Sequence, residues 1–135
     1  MKERFVLDAS ALLSILLDEP GEESVHEILD RCQIHSVNLA EVIRRLVRSG
    51  MPWDEAMAVL DNLDLDIHEG FVAEEAAFCG ILIAKHGELG LSLGDGVCLT
   101  TAAWSEAVAV TADRRWKELE GEAILGRTIR VKLIR

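Results

Sequence analysis

The segment Phe5-Val6-Leu7-Asp8-Ala9-Ser10-Ala11-Leu12-Leu13 changes character in its middle. Phe5, Val6 and Leu7 form a short continuous apolar run, the pattern of a strand buried on both faces. Past Asp8 the apolar residues fall at helical spacing, with Leu12, Leu13, Leu16 and Leu17 as one stripe. Asp8 therefore stands where a strand over residues 4–7 gives way to a helix. In open α/β sheets the functional crevice lies beyond the carboxyl ends of the strands, so a carboxylate at that junction points into it.

The same alternation runs outward along the chain. Asp18-Glu19-Pro20-Gly21 is a break. Residues 22–31 read as a second helix and residues 34–37 as a short strand. Asn38 suits an N-cap, with a helix over 39–48 behind it and Gly50 as its C′ residue. Pro52 opens a helix to about residue 63. Residues 65–68 alternate like a strand, 71–86 carry the longest helical pattern, and Gly87 ends it. A loop over 90–95 feeds a helix over 95–104. Residues 107–111 form an apolar strand, a short helix surrounds Trp116, and residues 129–133 alternate as an edge strand. Strands separated by helices predict a single α/β domain over 1–135, with a mostly parallel sheet covered by helices on both faces.

Composition narrows the function. The 135 residues are half hydrophobic, with a formal charge of −10. That balance argues against a protein that coats nucleic acid, which would be basic. It leaves room for a nuclease whose own metal-binding acids supply part of the excess, and it suits a basic protein partner. No apolar run approaches the roughly 18 residues of a membrane span. Asp8 interrupts the first apolar segment too early for a signal peptide, so a cytoplasmic location is expected. Cys32, Cys79 and Cys98 are odd in number and lack Cys-x-x-Cys spacing, so buried, inert thiols are expected.

Four acids carry the candidate chemistry, and each has a plain structural reading beside the functional one. Asp8 could cap the first helix, although Ser10 could also serve there. Glu41 could pair with Arg45 four residues on, or close a capping box with Asn38. Asp95 sits in a first helical turn, where the macrodipole favours an acid, and Gly94 before it permits close backbone approach. Asp113 could be another N-cap. Repetition favours function: two strands at opposite ends of the chain each deliver an Asp to the same sheet edge. Like charges held close there raise each other's pKa unless a cation intervenes. Oxygen-only ligands suit Mg2+ or Mn2+, and such a site can activate water at a phosphodiester. Ser10 and Thr111 could orient carboxylates or contact phosphate, or simply cap local backbone.

Val6-Leu7-Asp8-Ala9-Ser10-Ala11, Asn38-Leu39-Ala40-Glu41-Val42, Leu91-Ser92-Leu93-Gly94-Asp95 and Thr111-Ala112-Asp113-Arg114-Arg115-Trp116 resemble the motifs of PIN-domain ribonucleases, in order and spacing. The likeness is to VapC-type toxins of bacterial toxin–antitoxin pairs. It implies about five parallel strands and Mg2+- or Mn2+-dependent cleavage of single-stranded or loop RNA. It implies Asp8, Glu41, Asp95 and Asp113 as catalytic metal ligands, with Ser10 and Thr111 beside them. It further implies a homodimer, and an antitoxin whose C-terminal segment blocks the site. One departure stands out: many members carry Arg directly after the third acid, and this chain has Gly96. That opens the question of a phosphate contact, for which Arg114 or Arg115 could substitute.

Other features have milder readings. Arg44, Arg45 and Arg48 suit a solvated face. The basic tail of Arg127, Arg130, Lys132 and Arg135 could steer RNA or charge an edge strand against aggregation. Trp53, Trp104 and Trp116 could stack on bases, though core or interface packing accounts for them. Two competing functions remain: a PIN-like binding module without activity, and a Mg2+-binding receiver-type signalling domain. The receiver class needs a Lys after a late strand, and only Lys117 offers one.

Overall fold

The computed structural model describes residues 2–135. In chain order the elements are β1 (Phe5–Leu7), α1 (Ala9–Leu16), α2 (Glu22–His26), β2 (Cys32–His35), α3 (Ser36–Arg48), α4 (Trp53–Asp61), β3 (Asp66–His68), α5 (Ala73–Lys85), α6 (Leu93–Trp104), β4 (Val108–Thr111), β5 (Ala123–Ile124), β6 (Arg127–Thr128) and β7 (Val131–Leu133). Five strands form one sheet in the order β3-β2-β1-β4-β7, and all four pairings are parallel. The expected α/β class and parallel sheet are both present. Counted along the sheet, the order is 3-2-1-4-5, which separates this fold from the 2-1-3-4-5 order of receiver domains.

β1 is central, and its alternation feeds two cores. Phe5 and Leu7 face one side with Ile34, Val108 and Val110, packed against Leu12, Val25, Val42 and Leu46 from α1 to α3. Val6 faces the other side with Ala109 and Val131, packed against Phe78, Leu82, Leu99 and Trp116. Successive strand residues point to opposite faces, which is why β1 reads as a continuous apolar run. Leu7, Leu12, Ile34 and Leu46 are fully buried, each stabilising the fold by roughly 1.5–3 kcal/mol.

The boundaries move in informative ways. α3 begins at Ser36, so Asn38 lies inside the helix and does not cap it. His35 is the N-cap: Val37 N–H donates to its Nδ1 at 3.0 Å, which leaves Nε2–H to donate to Gly70 O at 2.9 Å. A capping imidazole was not legible because residues 34–37 looked like strand. The second helix is shorter than expected, ending at His26, with a 3-10 turn over Leu29–Arg31. The turn around Trp116 is also 3-10, over Arg114–Leu119. The antiparallel hairpin of β5 and β6 was not expected. Leu125 and Gly126 turn it with φ of 50° and 78°, the positive-φ pair of a type I′ turn.

Trp116 is fully buried, and Trp104 lies under the Arg127 guanidinium, 4.0 Å from its ring centre. Trp53 lies outside the core, with 73% of its surface exposed, which leaves interface packing as the remaining part of that expectation. All three cysteines are buried and free, and burial pushes the Cys32 thiol up to about 12. Among the described residues, no helix is long and apolar enough to cross a membrane.

Candidate functional site

Asp8 leaves the end of β1 and caps α1, accepting from Ala11 N–H at 2.9 Å. Ser10 does not cap. Its hydroxyl donates to Asp8 Oδ1 at 2.6 Å and accepts from Ala112 N–H at 2.9 Å. Thr111, at the end of β4, mirrors this: its hydroxyl donates to Asp8 Oδ2 at 2.6 Å and accepts from Asp113 N–H at 3.0 Å. The parallel pairing of β1 with β4, Leu7 opposite Val110, is what brings the two junctions together. Asp8 is buried, and burial pushes its carboxyl up to about 6, against the hydrogen bonds from Ser10, Thr111 and Ala11 and with help from the charge of Asp95.

Asp113 starts the 3-10 turn after β4 and accepts from Arg115 N–H at 3.0 Å. The Arg115 side chain also pairs with its carboxylate, which holds Asp113 below the usual carboxylate range. Arg114 turns elsewhere, donating from Nε to the Arg135 carbonyl at 3.3 Å.

Glu41 reaches the site along α3. Arg45 is not its partner: that guanidinium sits 3.5 Å from Glu19. Asn38 holds it instead, its amide nitrogen donating at 2.9 Å both to Glu41 Oε1 and to the Gly94 carbonyl. Two acceptors on one side fix which end of the Asn38 amide faces them. Its Oδ1 is buried without a partner. Sequence reasoning read Asn38 as a cap and, from the three-residue spacing, offered it to Glu41 as a capping box; the pair is present, as a side-chain bond inside the helix.

Gly94 is where α6 meets that pair. A Cβ there would fall 2.7 Å from Glu41 Cδ, so the missing side chain is the space the carboxylate uses. Asp95 joins a capping box with Ser92: Ser92 N–H donates to Asp95 Oδ2 at 2.9 Å, and Asp95 N–H to Ser92 Oγ at 3.0 Å. Gly96 faces the other way, against α5. A Cβ there would fall 2.6 Å from Cys79 Sγ and 2.8 Å from Ile83 Cδ1. Gly94→Ala is expected to leave stability within about 1 kcal/mol, because a flexible side-chain end yields and alanine favours helix. It should displace Glu41 and lower activity about tenfold or more, read from melting curves beside turnover.

The acids share one electrostatic environment. Burial, then the charges of Asp8, Asp95 and Glu41, raise the Cys98 thiol well above its ordinary range. Yet among the described residues no three carboxylate, thiol or imidazole groups stand together as a ready metal cage. Each acid is bonded to its own neighbour instead: Asp8 to hydroxyls, Glu41 to Asn38, Asp95 to Ser92, Asp113 to Arg115. The donor set fits a hard divalent ion: it is all oxygen, and among the described residues no basic group acts on its most buried member.

Comparison with known proteins follows the same geometry. The fold is similar to a DNA-bound VapBC from Salmonella typhimurium, with a TM-score of 0.72 and 20% identity over 99% of this chain and 100% of that one. It is also similar to VapBC-5 from Mycobacterium tuberculosis, with a TM-score of 0.68 and 21% identity over 98% and 99%. A VapBC2 from Rickettsia felis, bound to a promoter DNA fragment, gives 0.69 and 18% over 95% and 98%. No curated protein matches the chain by sequence. The family model for the PIN domain matches residues 5–122, nearly the whole span from β1 to the hairpin and all four acids. The chain belongs to the PIN domain family, whose members are generally nucleases.

Proposed function

We propose that the chain, as one PIN unit over residues 1–135, is a Mg2+- or Mn2+-dependent endoribonuclease that cleaves single-stranded or loop RNA. In this reading it is the cytoplasmic toxin of a toxin–antitoxin pair. The observation that carries it is the Asp8 carboxylate, buried, gripped on both oxygens and, among the described residues, without a basic partner. Asp8, Glu41, Asp95 and Asp113 would hold the metal, which supplies a positive charge for the phosphodiester and for an attacking water. Ser10 and Thr111 orient Asp8. Asn38 fixes one oxygen of Glu41, and Ser92 fixes one oxygen of Asp95. Among the described residues, no hydrogen bond reaches the second oxygen of either carboxylate.

The VapBC complexes of similar fold support an antitoxin partner. Trp53 and Met57 stand exposed four residues apart on α4, the spacing of an apolar docking face. A homodimer belongs to the same reading.

Incubation with a structured RNA pool tests it. Cleavage is expected with Mn2+ or Mg2+, with loss on chelation and recovery on re-addition. Growth arrest on expression, relieved by a small partner from the neighbouring reading frame, is the cellular counterpart. The second reading is a PIN-like binding module without activity. RNA binding without cleavage at saturating Mn2+ would select it.

A further inference from the structure

Asp113 differs from the other three acids in carrying a guanidinium. Arg115 Nε lies 3.0 Å from Oδ1 and 3.2 Å from Oδ2, and Nη2 lies 2.6 Å from Oδ2. The Arg115 backbone N–H takes another position on Oδ1 at 3.0 Å. A carboxylate offers about four lone-pair sites, so this one residue uses most of them. The third nitrogen, Nη1, donates to the Leu89 carbonyl in the connection from α5 to α6. It also lies against Gly90, where an added Cβ would meet it at 3.3 Å. One side chain thus ties the turn of the fourth acid to the segment that enters the helix of the third. Asp95 acts electrostatically on the same guanidinium.

We infer that Arg115 is a built-in cation of the acidic cluster, which competes with the divalent ion for Asp113 and yields that carboxylate only when its fork swings away. The inference rests on the metal-site reading above and adds a residue that tunes it. A divalent ion approaching Asp113 meets a positive charge at contact distance and few vacant lone pairs. The side chain has room to leave, since half of it is exposed. Arg115 is a positioning residue in this scheme, and its effect is on metal affinity.

Mn2+ titration of the full chain, followed by the paramagnetic resonance signal of free Mn2+, tests it. Arg115→Gln is expected to bind Mn2+ about tenfold more tightly than the native chain, the scale of removing one charge at contact distance from a divalent ion. Arg115→Lys keeps the charge without the fork and should fall between. On an Asp113→Asn background the same substitution should change affinity by less than about threefold, because the contested carboxylate is gone. Circular dichroism checks that the variants fold, with Arg115→Lys as the milder change. Equal or weaker Mn2+ binding by Arg115→Gln overturns the competition and leaves the metal site standing. Absence of Mn2+ binding by the native chain and the variants alike overturns both.

Discussion

Asp8→Asn is expected to melt higher than the native chain at pH 7.5 without metal, and yet to cleave RNA at least about 100-fold more slowly. The two effects have one origin. Burial raises the Asp8 carboxyl from 3.8 to about 6 in the folded chain. Between roughly pH 4 and pH 6 the folded state therefore holds more protons than the unfolded state, and stability falls as pH rises through that window. The penalty is complete above about pH 6 and amounts to about 3 kcal/mol. Asparagine carries no charge, so it escapes most of this, and Thr111 can turn its hydroxyl to accept from the new amide. A gain of several degrees follows for a chain of this length. Catalysis moves the other way, because the metal loses an anionic oxygen and a displacement of about 1 Å can cost on the order of 100-fold. Melts from pH 4 to 8, beside single-turnover cleavage, check both arms. A native chain whose stability rises from pH 4 to 6 would show that burial of Asp8 does not set the balance. A folded Asp8→Asn that cleaves at the native rate would end the metal-nuclease mechanism. Mn2+ should stabilise the native chain and lose that effect in the variant.

Gly96→Arg is expected to remove about 4 kcal/mol or more, a large share of the stability of a domain this size. The resemblance to PIN-domain ribonucleases implies an arginine at this position, directly after the third acid. The tertiary contact decides otherwise. Even a Cβ would meet Cys79 and Ile83 well inside van der Waals distance, and a guanidinium would enter an apolar layer without a partner. Gly96→Ala isolates the packing term: overpacking costs about 1–3 kcal/mol, offset by about 1 kcal/mol of helix propensity. Urea unfolding of the two variants measures the difference. Native-like stability in Gly96→Arg would mean that α5 and α6 separate there far more easily than their packing implies. In this chain any cation for the substrate near the third acid has to come from another position.

Much of the architecture was legible in the sequence because it rests on local chemistry. The apolar run at Phe5–Leu7, the alternation of strand and helix, and the acids at strand ends need only the periodicities of backbone and side chain. They determined the α/β class, the parallel sheet and the order of the four motifs. Partnerships at the candidate site were not legible, since each depends on which residues of distant segments come to share space. Glu41 had two local partners on offer, Arg45 and Asn38, and the fold decided between them: Asn38 also bonds the Gly94 carbonyl of α6, while Arg45 turns to Glu19. Gly94 and Gly96 look alike along the chain, but one makes room for a carboxylate and the other for a neighbouring helix. Asp8 looked like one carboxylate among four. The pairing of β1 with β4 buried it between two hydroxyls and raised its pKa, whereas Asp113, two residues past β4, stayed near solvent under Arg115. The sequence by itself determined which side chains are present and near which strand ends. Tertiary structure decided their charge, their partners and their room, because burial and close approach are properties of the space between segments and not of any segment alone.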